Sequence, residues 1–472
     1  VSEIAGIAAP TVIRRSRAGR RRALVLLTVH LLLAAHIAHW WLTGASLSPL
    51  EPSEAMELAK HSLVNAGLIF FAASILLTAI FGRFFCGWGC HLVALQDGCR
   101  WLLLKVGIRP RPFRSRWLLW VPTIAFGYMF LWPIAYRLWH GDDLRPLSFA
   151  FSTADFWGTF PGWAVALLTF AVCGFATVYF LGAKGFCTYA CPYGAAFAGV
   201  DRLAPMRIRV TDACAGCGHC TATCSSNVRV HEEVATYGMV VSPGCMKTLD
   251  CVSVCPNDAL YLGFGRPSLL ARLRPGRAVP SRRPDLTWLE ELLAAGTFLV
   301  TFLVVRGLYG LFPFLLSLGL GAIFAYLAVQ GLRLRTHRHL RIRRWALKRH
   351  GRLLPAGWAF VVLAVAASGL LAHSAAVRYH LYRGQQLYAE AAPLIAVLER
   401  SDPSPGEAPP LRSRHDLQAI RGARQHLERA DRLSLRAHAG MRLELAWLSL
   451  LDGDEAGFER YLESALRAAP GD

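Results

Sequence analysis

Apolar residues gather into seven stretches, 23–43, 62–81, 117–139, 162–182, 287–305, 311–331 and 354–374. Each approaches the ~20 residues with which an α-helix crosses a hydrocarbon core. The pattern predicts a mainly α-helical membrane protein with about seven transmembrane helices. The first stretch follows a signal-like basic flank (Arg14, Arg15, Arg17, Arg20, Arg21, Arg22), but it is long, holds His30, His36 and His39, and shows no small-residue cleavage site. It is therefore expected to stay as a membrane helix.

Charge orients these helices. The chain carries 51 Lys and Arg against 31 Asp and Glu, a formal net charge of +20, with 54% hydrophobic residues and a mean hydropathy of +0.35. The basic residues sit in short blocks beside the apolar runs, which is how membrane orientation is encoded, so nucleic acid is not expected as a partner. Arg14–Arg22, Arg83–Arg116, Lys184–Arg283 and Arg333–Arg352 are the basic segments, whereas the intervening loops hold little beyond Lys60, Arg145 and Arg306. The expected topology is a cytoplasmic N-terminus (1–22), a four-helix membrane core (23–205), a cytoplasmic domain (206–263), a basic proline-broken linker (264–286), three more helices (287–374) and an extracytoplasmic tail (375–472), all in a bacterial inner membrane. The basic stretch 333–352 reads as an amphipathic surface helix or a plain topogenic loop. Tryptophans 40, 41, 132, 139, 157 and 163 fit an interfacial belt.

The cytoplasmic segment carries the chemistry. Cys214-Ala-Gly-Cys217-Gly-His-Cys220-Thr-Ala-Thr-Cys224 has the spacing C-x2-C-x2-C-x3-C of bacterial ferredoxins, in which three thiolates serve one cluster and the fourth serves its neighbour. The second block keeps Cys245, Cys251 and Cys255 but has Thr248 where the second cysteine belongs. If ligands cross as in two-cluster ferredoxins, Cys214, Cys217, Cys220 and Cys255 hold one [4Fe–4S] cluster. Cys224, Cys245 and Cys251 are then left for a second, either [3Fe–4S] or a [4Fe–4S] whose fourth iron takes water, Asp250, Thr248 or a borrowed cysteine. Zinc would call for paired C-x2-C blocks, and disulfides for an oxidising compartment.

Two further pairs, Cys86/Cys90 and Cys187/Cys191, stand at the expected cytoplasmic ends of the second and fourth helices, in contexts that match at a fixed offset; Gly98 corresponds to Gly199. Helices 1–2 and 3–4 thus read as parallel repeats about an axis along the membrane normal. The two pairs could face one another and hold a further metal, lend a thiolate to the second cluster, or cycle as dithiols; the plainer reading is four small buried thiols packing under a re-entrant turn. Cys99 and Cys173, without partners at useful spacing, read as packing residues.

The combination of two C-x3-C motifs followed by a ferredoxin segment, over about residues 20–265, resembles the membrane-bound polyferredoxins that include NapH, the membrane half of NosR, and CcoG. The resemblance implies electron transfer between membrane quinol, or a cytoplasmic reductant, and a redox partner or a metal ion; as an enzyme, the chain would be a quinol dehydrogenase-type oxidoreductase component. The sequence departs from the family pattern at His91 and Ser225, where prolines are usual, and at Thr248.

Other readings remain open. A copper-reducing or copper-handling assembly factor would use the soft C-x3-C thiolates, and a redox sensor would signal from the three-cysteine cluster to the tail. Histidines in or near the membrane, His30, His36, His39, His61, His140 and His373, invite a haem or quinone role, for which His39 and His61 are the candidates. Their plain reading as headgroup-level amphipathic tips outranks haem. In the tail, residues 437–470 resemble one degenerate tetratricopeptide repeat, with 384–435 supplying a second helix pair, and together they would form a docking surface for an extracytoplasmic protein or a bundle with no ligand.

Overall fold

The computed structural model describes residues 13–141, 146–156, 162–277, 285–308, 311–400, 414–436 and 438–468, which are mainly helical and fall into two compact units. The first comprises Val1–Phe298, Leu318–Thr336 and Arg341–Trp345; the second comprises Leu299–Ser317, His337–Leu340 and Ala346–Asp472.

In the first unit, α1 (Arg17–Thr43) starts where the Ser16 hydroxyl accepts from the Gly19 amide, and it ends at Gly44 in the left-handed region. This closes both ends as a side-chain cap and a glycine C-cap do. Next, α2 (Ala66–Phe81) is capped by Asn65, whose Oδ1 accepts from the Leu68 amide at 2.8 Å. At 16 residues, or about 24 Å, it is shorter than the expected 62–81 and is not among the six described helices long and apolar enough to cross a membrane. Gly82, at φ +69°, then turns the chain into the short α3 (Phe84–Trp88) and into α4 (His91–Lys105).

The second repeat copies this plan. α5 (Leu118–His140) and α6 (Trp163–Leu181) are long enough to span, each with one π-helical segment, at Gly127–Leu131 and Phe170–Ala176. Gly182, at φ +107°, leads into α7 (Gly185–Tyr189) and α8 (Pro192–Asp201).

The aromatic contacts show where α3 and α7 go. The Phe85 ring meets Phe70 at 5.3 Å, although Phe70 lies a full eleven residues before the end of α2. The ring of Tyr193 meets Phe71, while Asp201, at the far end of α8, accepts the Arg83 amide at 2.8 Å. Thus α8 runs beside α2 in the same direction. Likewise α4 runs beside α6, with Leu95 and Cys99 against Gly174 and with Cys99 and Leu103 in one cluster with Val178. Each repeat therefore folds back into the helical layer and lays its second helix along the long helix of the other. The C-x3-C pairs, expected at the inner ends of the helices, thus lie on turns that fold back against the helix before them, as the Phe85–Phe70 contact shows for the first.

Below this layer, β1 (Arg207–Val210) pairs antiparallel with β2 (Leu260–Gly263), with α9 (His219–Thr223), α10 (Val230–Tyr237) and α11 (Asp250–Ser253) between them in the chain. Ile208, Val230, Val234, Val240 and Leu260 form the core of this small α+β domain. Beyond it lie α12 (Trp288–Val305) and α13 (Phe314–Thr336).

In the second unit, α14 (Pro355–Arg400) does not stop at 374 but runs for 46 residues in all, past Gly384 and Pro393. It packs with α15 (Arg414–Leu433), α16 (Ala439–Asp452) and α17 (Glu455–Ala468) around Leu381, Ile420, Leu427, Leu445 and Leu448. The missing Cβ at Gly384 matters here, since one would stand 2.6 Å from Leu427. Within the basic stretch 333–352, the expected helix or loop gives way after Thr336 to extended backbone, with Lys348 opposite Leu353 and a turn through His350 and Gly351 at positive φ.

Candidate functional site

The ferredoxin segment brings its cysteines together in two groups. Cys214, Cys217, Cys220 and Cys255 line one solvent-open cavity, alongside His219 and His231. The Cys255 sulfur accepts from the Ala259 amide at 3.3 Å. Cys224, Cys245 and Cys251 share the domain core and interact electrostatically with one another. Burial, then the neighbouring Cys245 sulfur, pushes the Cys224 thiol up to about 12, and burial pushes Cys220 to about 11. Such thiols give up their protons only in exchange for metal. The first group fits a four-thiolate cluster, and the second offers three sulfurs, with buried Thr248 in the fourth position.

Although one cysteine is missing, the second block keeps the backbone of a cluster loop. In the first block Gly216 and Gly218 have φ of +66° and +74°, flanking Cys217; in the second, Lys247 and Leu249 have φ of +50° and +60°, flanking Thr248. Glycine adopts this conformation freely, whereas Lys and Leu each give up about 1 kcal/mol or more. Lys247 is held there by its ammonium, which donates to Asp201 at 2.6 Å, and by its carbonyl, which accepts from the Trp88 indole at 2.8 Å.

That loop sits against the re-entrant turn of the first repeat. A Cβ on Gly87 would lie 2.1 Å from the Met246 carbonyl oxygen, so only glycine permits the contact. Cys86 and Cys245 are thus the immediate chain neighbours of two touching residues. Ion pairs fix the same junction: Arg22 bonds Asp97 at 2.6 Å and reaches Asp250 at 3.7 Å, and Lys184 bonds Asp97 at 2.6 Å. Asp201 receives Lys247 at 2.6 Å and Arg207 at 2.8 Å. Two acids thus take a donor from the other repeat: Asp97, within α4, from Lys184, and Asp201, at the end of α8, from the Arg83 amide.

The four membrane cysteines also converge. Cys86 and Cys187 are buried, Cys90 and Cys191 half-buried, and each of the four sulfurs interacts electrostatically with the other three. The Arg83 guanidinium, 5% exposed, donates to Cys86 Sγ at 3.3 Å and to the Pro243 carbonyl; Gln96 Nε2 donates to Cys187 Sγ at 2.9 Å. Sequence reasoning missed both donors, and it counted Arg83 and Lys184 as loop charges although each is buried. Among the described residues no three Cys, His, Asp or Glu stand as a single ion would require. Cys99 and Cys173 are buried, with Cys99 packed in the α4–α6 contact, as expected of packing residues.

The histidine candidates have local partners. His39 Nδ1 lies 3.1 Å from Ser46 Oγ, and His61, largely exposed, lies 3.8 Å from Glu57 one turn earlier. His91, noticed in the sequence only as a replaced proline, lies 3.9 Å from Glu51 of the loop before α2 and directly follows Cys90.

Fold and cysteines together define the class, a membrane iron–sulfur protein of electron transfer. A family described as a 4Fe-4S binding domain matches residues 65–109 and 163–211, one segment in each repeat. The chain is 26% identical over 237 residues to the methylamine utilization ferredoxin-type protein MauN of Methylorubrum extorquens, covering 47% of this chain and 79% of that protein. It is 27% identical over 220 residues to the ferredoxin-type protein NapH of Haemophilus influenzae, covering 44% and 71%, and 27% identical over 224 residues to the putative electron transport protein YccM of Escherichia coli, covering 42% and 57%. No solved structure matches the chain. The chain is thus similar to ferredoxin-type membrane proteins such as NapH and MauN.

Proposed function

We propose that the chain carries electrons from membrane quinol to a redox partner through two iron–sulfur sites on the cytoplasmic face of a bacterial inner membrane. The observation that carries this reading is the single cavity lined by Cys214, Cys217, Cys220 and Cys255, the four residues whose spacing called for one cluster. Those four thiolates hold a [4Fe–4S] cluster. Cys224, Cys245 and Cys251 hold a second cluster, [3Fe–4S] or [4Fe–4S], beside Thr248. A bound cluster supplies one-electron exchange with little change in ligand geometry.

The protein supplies position and protons. A quinol leaving as quinone releases two electrons and two protons, and the His91 imidazole, 3.9 Å from the Glu51 carboxylate, is placed to accept a proton. The basic loops orient the chain with the ferredoxin domain in the cytoplasm, and the helical second unit, with its tetratricopeptide-like α16–α17 pair, serves as an extracytoplasmic docking element.

Anaerobic purification with iron and sulfide analysis, followed by reduction with a quinol analogue under EPR, tests the reading. Reduced cluster signals support it. Quinol-silent clusters together with copper bound through the C-x3-C cysteines would favour metal handling instead. Thr248→Cys should raise iron by about one per chain if the second site holds [3Fe–4S], and should leave it unchanged if it already holds a cube.

A further inference from the structure

We infer that the cytoplasmic end of α6 carries a binding site for the phosphate headgroup of an anionic phospholipid. Arg109 and Arg111, from the loop before α5, and Arg341 and Arg344, after α13, supply the cations, and Arg343 locks the two segments together. The inference takes its leaflet from the topology proposed above and is independent of the iron–sulfur sites.

Both segments are fixed to the end of one helix. The Phe113 amide donates to the Leu181 carbonyl at 3.0 Å, and Gly182 allows the approach, because a Cβ there would lie 2.8 Å from Pro112 Cα and 3.1 Å from the Arg111 carbonyl oxygen. From the other side the chain turns at Arg343, whose φ of +52° is a conformation that few residues other than glycine adopt. Its guanidinium reaches the last turn of α6: Nε donates to the Tyr179 carbonyl at 2.7 Å, and Nη2 donates to the Phe180 carbonyl at 2.8 Å and the Arg111 carbonyl at 3.1 Å. A cation at a helix C-terminus meets the negative end of the dipole, which helps to offset the strained turn. These bonds bring together two arginine-bearing loops that lie 232 positions apart in sequence.

The charge assembled there is uncompensated. Arg109, Arg111, Arg341 and Arg344 are exposed, and among the described residues none of the five arginines has a carboxylate partner. The acids of α12 are engaged elsewhere: Glu290 holds Arg333 at 2.6 Å, and Glu291 accepts from the Ser115 hydroxyl at 2.6 Å and the Arg116 amide at 2.8 Å. Burial lowers the pKa of Arg343 and the neighbouring Arg111 charge lowers it further, an effect that an anion at the site would oppose. Arginine suits phosphate in particular, since its planar fork takes two oxygens at once.

Two tryptophans select a lipid over a soluble phosphate. Trp345, 52% exposed, has the Arg344 guanidinium 5.2 Å from its ring centroid, and Trp101, 55% exposed, has the Lys105 ammonium at 3.9 Å. An exposed indole with a cation on its face fits the headgroup level of a bilayer, where the ring meets acyl chains and the cation meets phosphate. Because α4 runs beside α6 in the same direction, with Leu103 in one cluster with Val178, both pairs belong to the same end of the helical layer.

Native mass spectrometry of the full chain in detergent, titrated with phosphatidylglycerol or with phosphatidylcholine, tests the site. Phosphatidylglycerol should be retained in preference, and R341Q/R344Q should weaken its retention about 30-fold, since each near-surface cation contributes about fivefold. R429Q/R432Q, which removes the same charge from α15, should retain it as the wild type does. If R341Q/R344Q fails to accumulate, R109Q/R111Q decides, because the bond from Arg343 goes to the Arg111 backbone, which that variant keeps. Equal retention of the two lipids, wild-type retention by the site variant, or an equal loss in R429Q/R432Q would overturn the inference. Displacement of phosphatidylglycerol by inorganic phosphate at comparable concentration would also overturn it, by making free phosphate the ligand. A chain that retains phosphatidylglycerol in this way but holds no iron would count against the proposed function alone.

Discussion

Asp201→Asn should be among the most damaging single substitutions in the first unit. Asp201 is fully buried and accepts from Lys247 Nζ at 2.6 Å, Arg207 Nη2 at 2.8 Å and the Arg83 amide at 2.8 Å. Asparagine keeps the shape but removes the charge and turns an N–H2 toward one of the two cations. Removing one partner of a buried ion pair costs about 3–5 kcal/mol, which is roughly two to nearly four orders of magnitude in the folded-to-unfolded ratio. The two cations are not equally exposed to the loss. Arg207 still has the Ala204, Val240 and Asp201 carbonyls, whereas Lys247 has only the Cys245 carbonyl at 3.4 Å. Lys247 is therefore the residue left stranded, and Asp201→Asn/Lys247→Met should recover at least about 1 kcal/mol, because an apolar side chain tolerates the site better than an unpaired ammonium does. Unfolding of the detergent-solubilised protein, followed by tryptophan fluorescence, measures both changes. A single variant within about 0.5 kcal/mol of wild type, or a double variant less stable than the single, would refute the reasoning, since exposed pairs are worth that little.

Three further outcomes follow from the same contacts. Gly87→Ala puts a methyl group 2.1 Å from the Met246 carbonyl oxygen, so the loop carrying Cys245 must withdraw; EPR should show the C245S-sensitive component altered and the C217S-sensitive one unchanged. His91→Phe should slow reduction by a quinol analogue by about 10²-fold or more, as loss of a general base does, while leaving reduction by dithionite at the wild-type rate. In the second unit, burial and the facing His380, 3.0 Å away, lower the pKa of His426. A lowered folded pKa means that the unfolded chain binds the proton more readily, so stability is full above about 6.5 and declines as pH falls through that value; His426→Gln should flatten the acid side of the thermal-melting profile.

What was legible in the sequence was what short spacing controls. The grouping of Cys214, Cys217 and Cys220 with Cys255, and of Cys224 with Cys245 and Cys251, follows from motif geometry, and the structure brings both sets together. Long apolar runs likewise predicted the helices that begin near 17, 118, 163, 288, 314 and 355. A re-entrant turn was legible only as the plainer alternative for the four thiols: Phe84, Phe85 and Trp88 continue the apolar pattern past Gly82, and nothing local distinguishes a turn that leaves the helical layer from one that folds back into it. Nor were the roles of Arg83, Lys184 and Gln96, since each acts on a residue more than eighty positions away or on a sulfur whose neighbours come from the other repeat. Counting Arg83 and Lys184 as topogenic charges was sound for orientation but silent about their burial. The overrun of α14 past 374 has a similar cause, because composition changes there while helix propensity does not.

The most direct measurement is the iron and acid-labile sulfide content of the anaerobically purified chain, read together with its EPR spectrum before and after reduction. The account predicts about seven or eight irons per chain, with separate components that disappear in C217S and in C245S. A chain that folds, keeps its cysteines reduced and holds neither iron nor labile sulfide would contradict it.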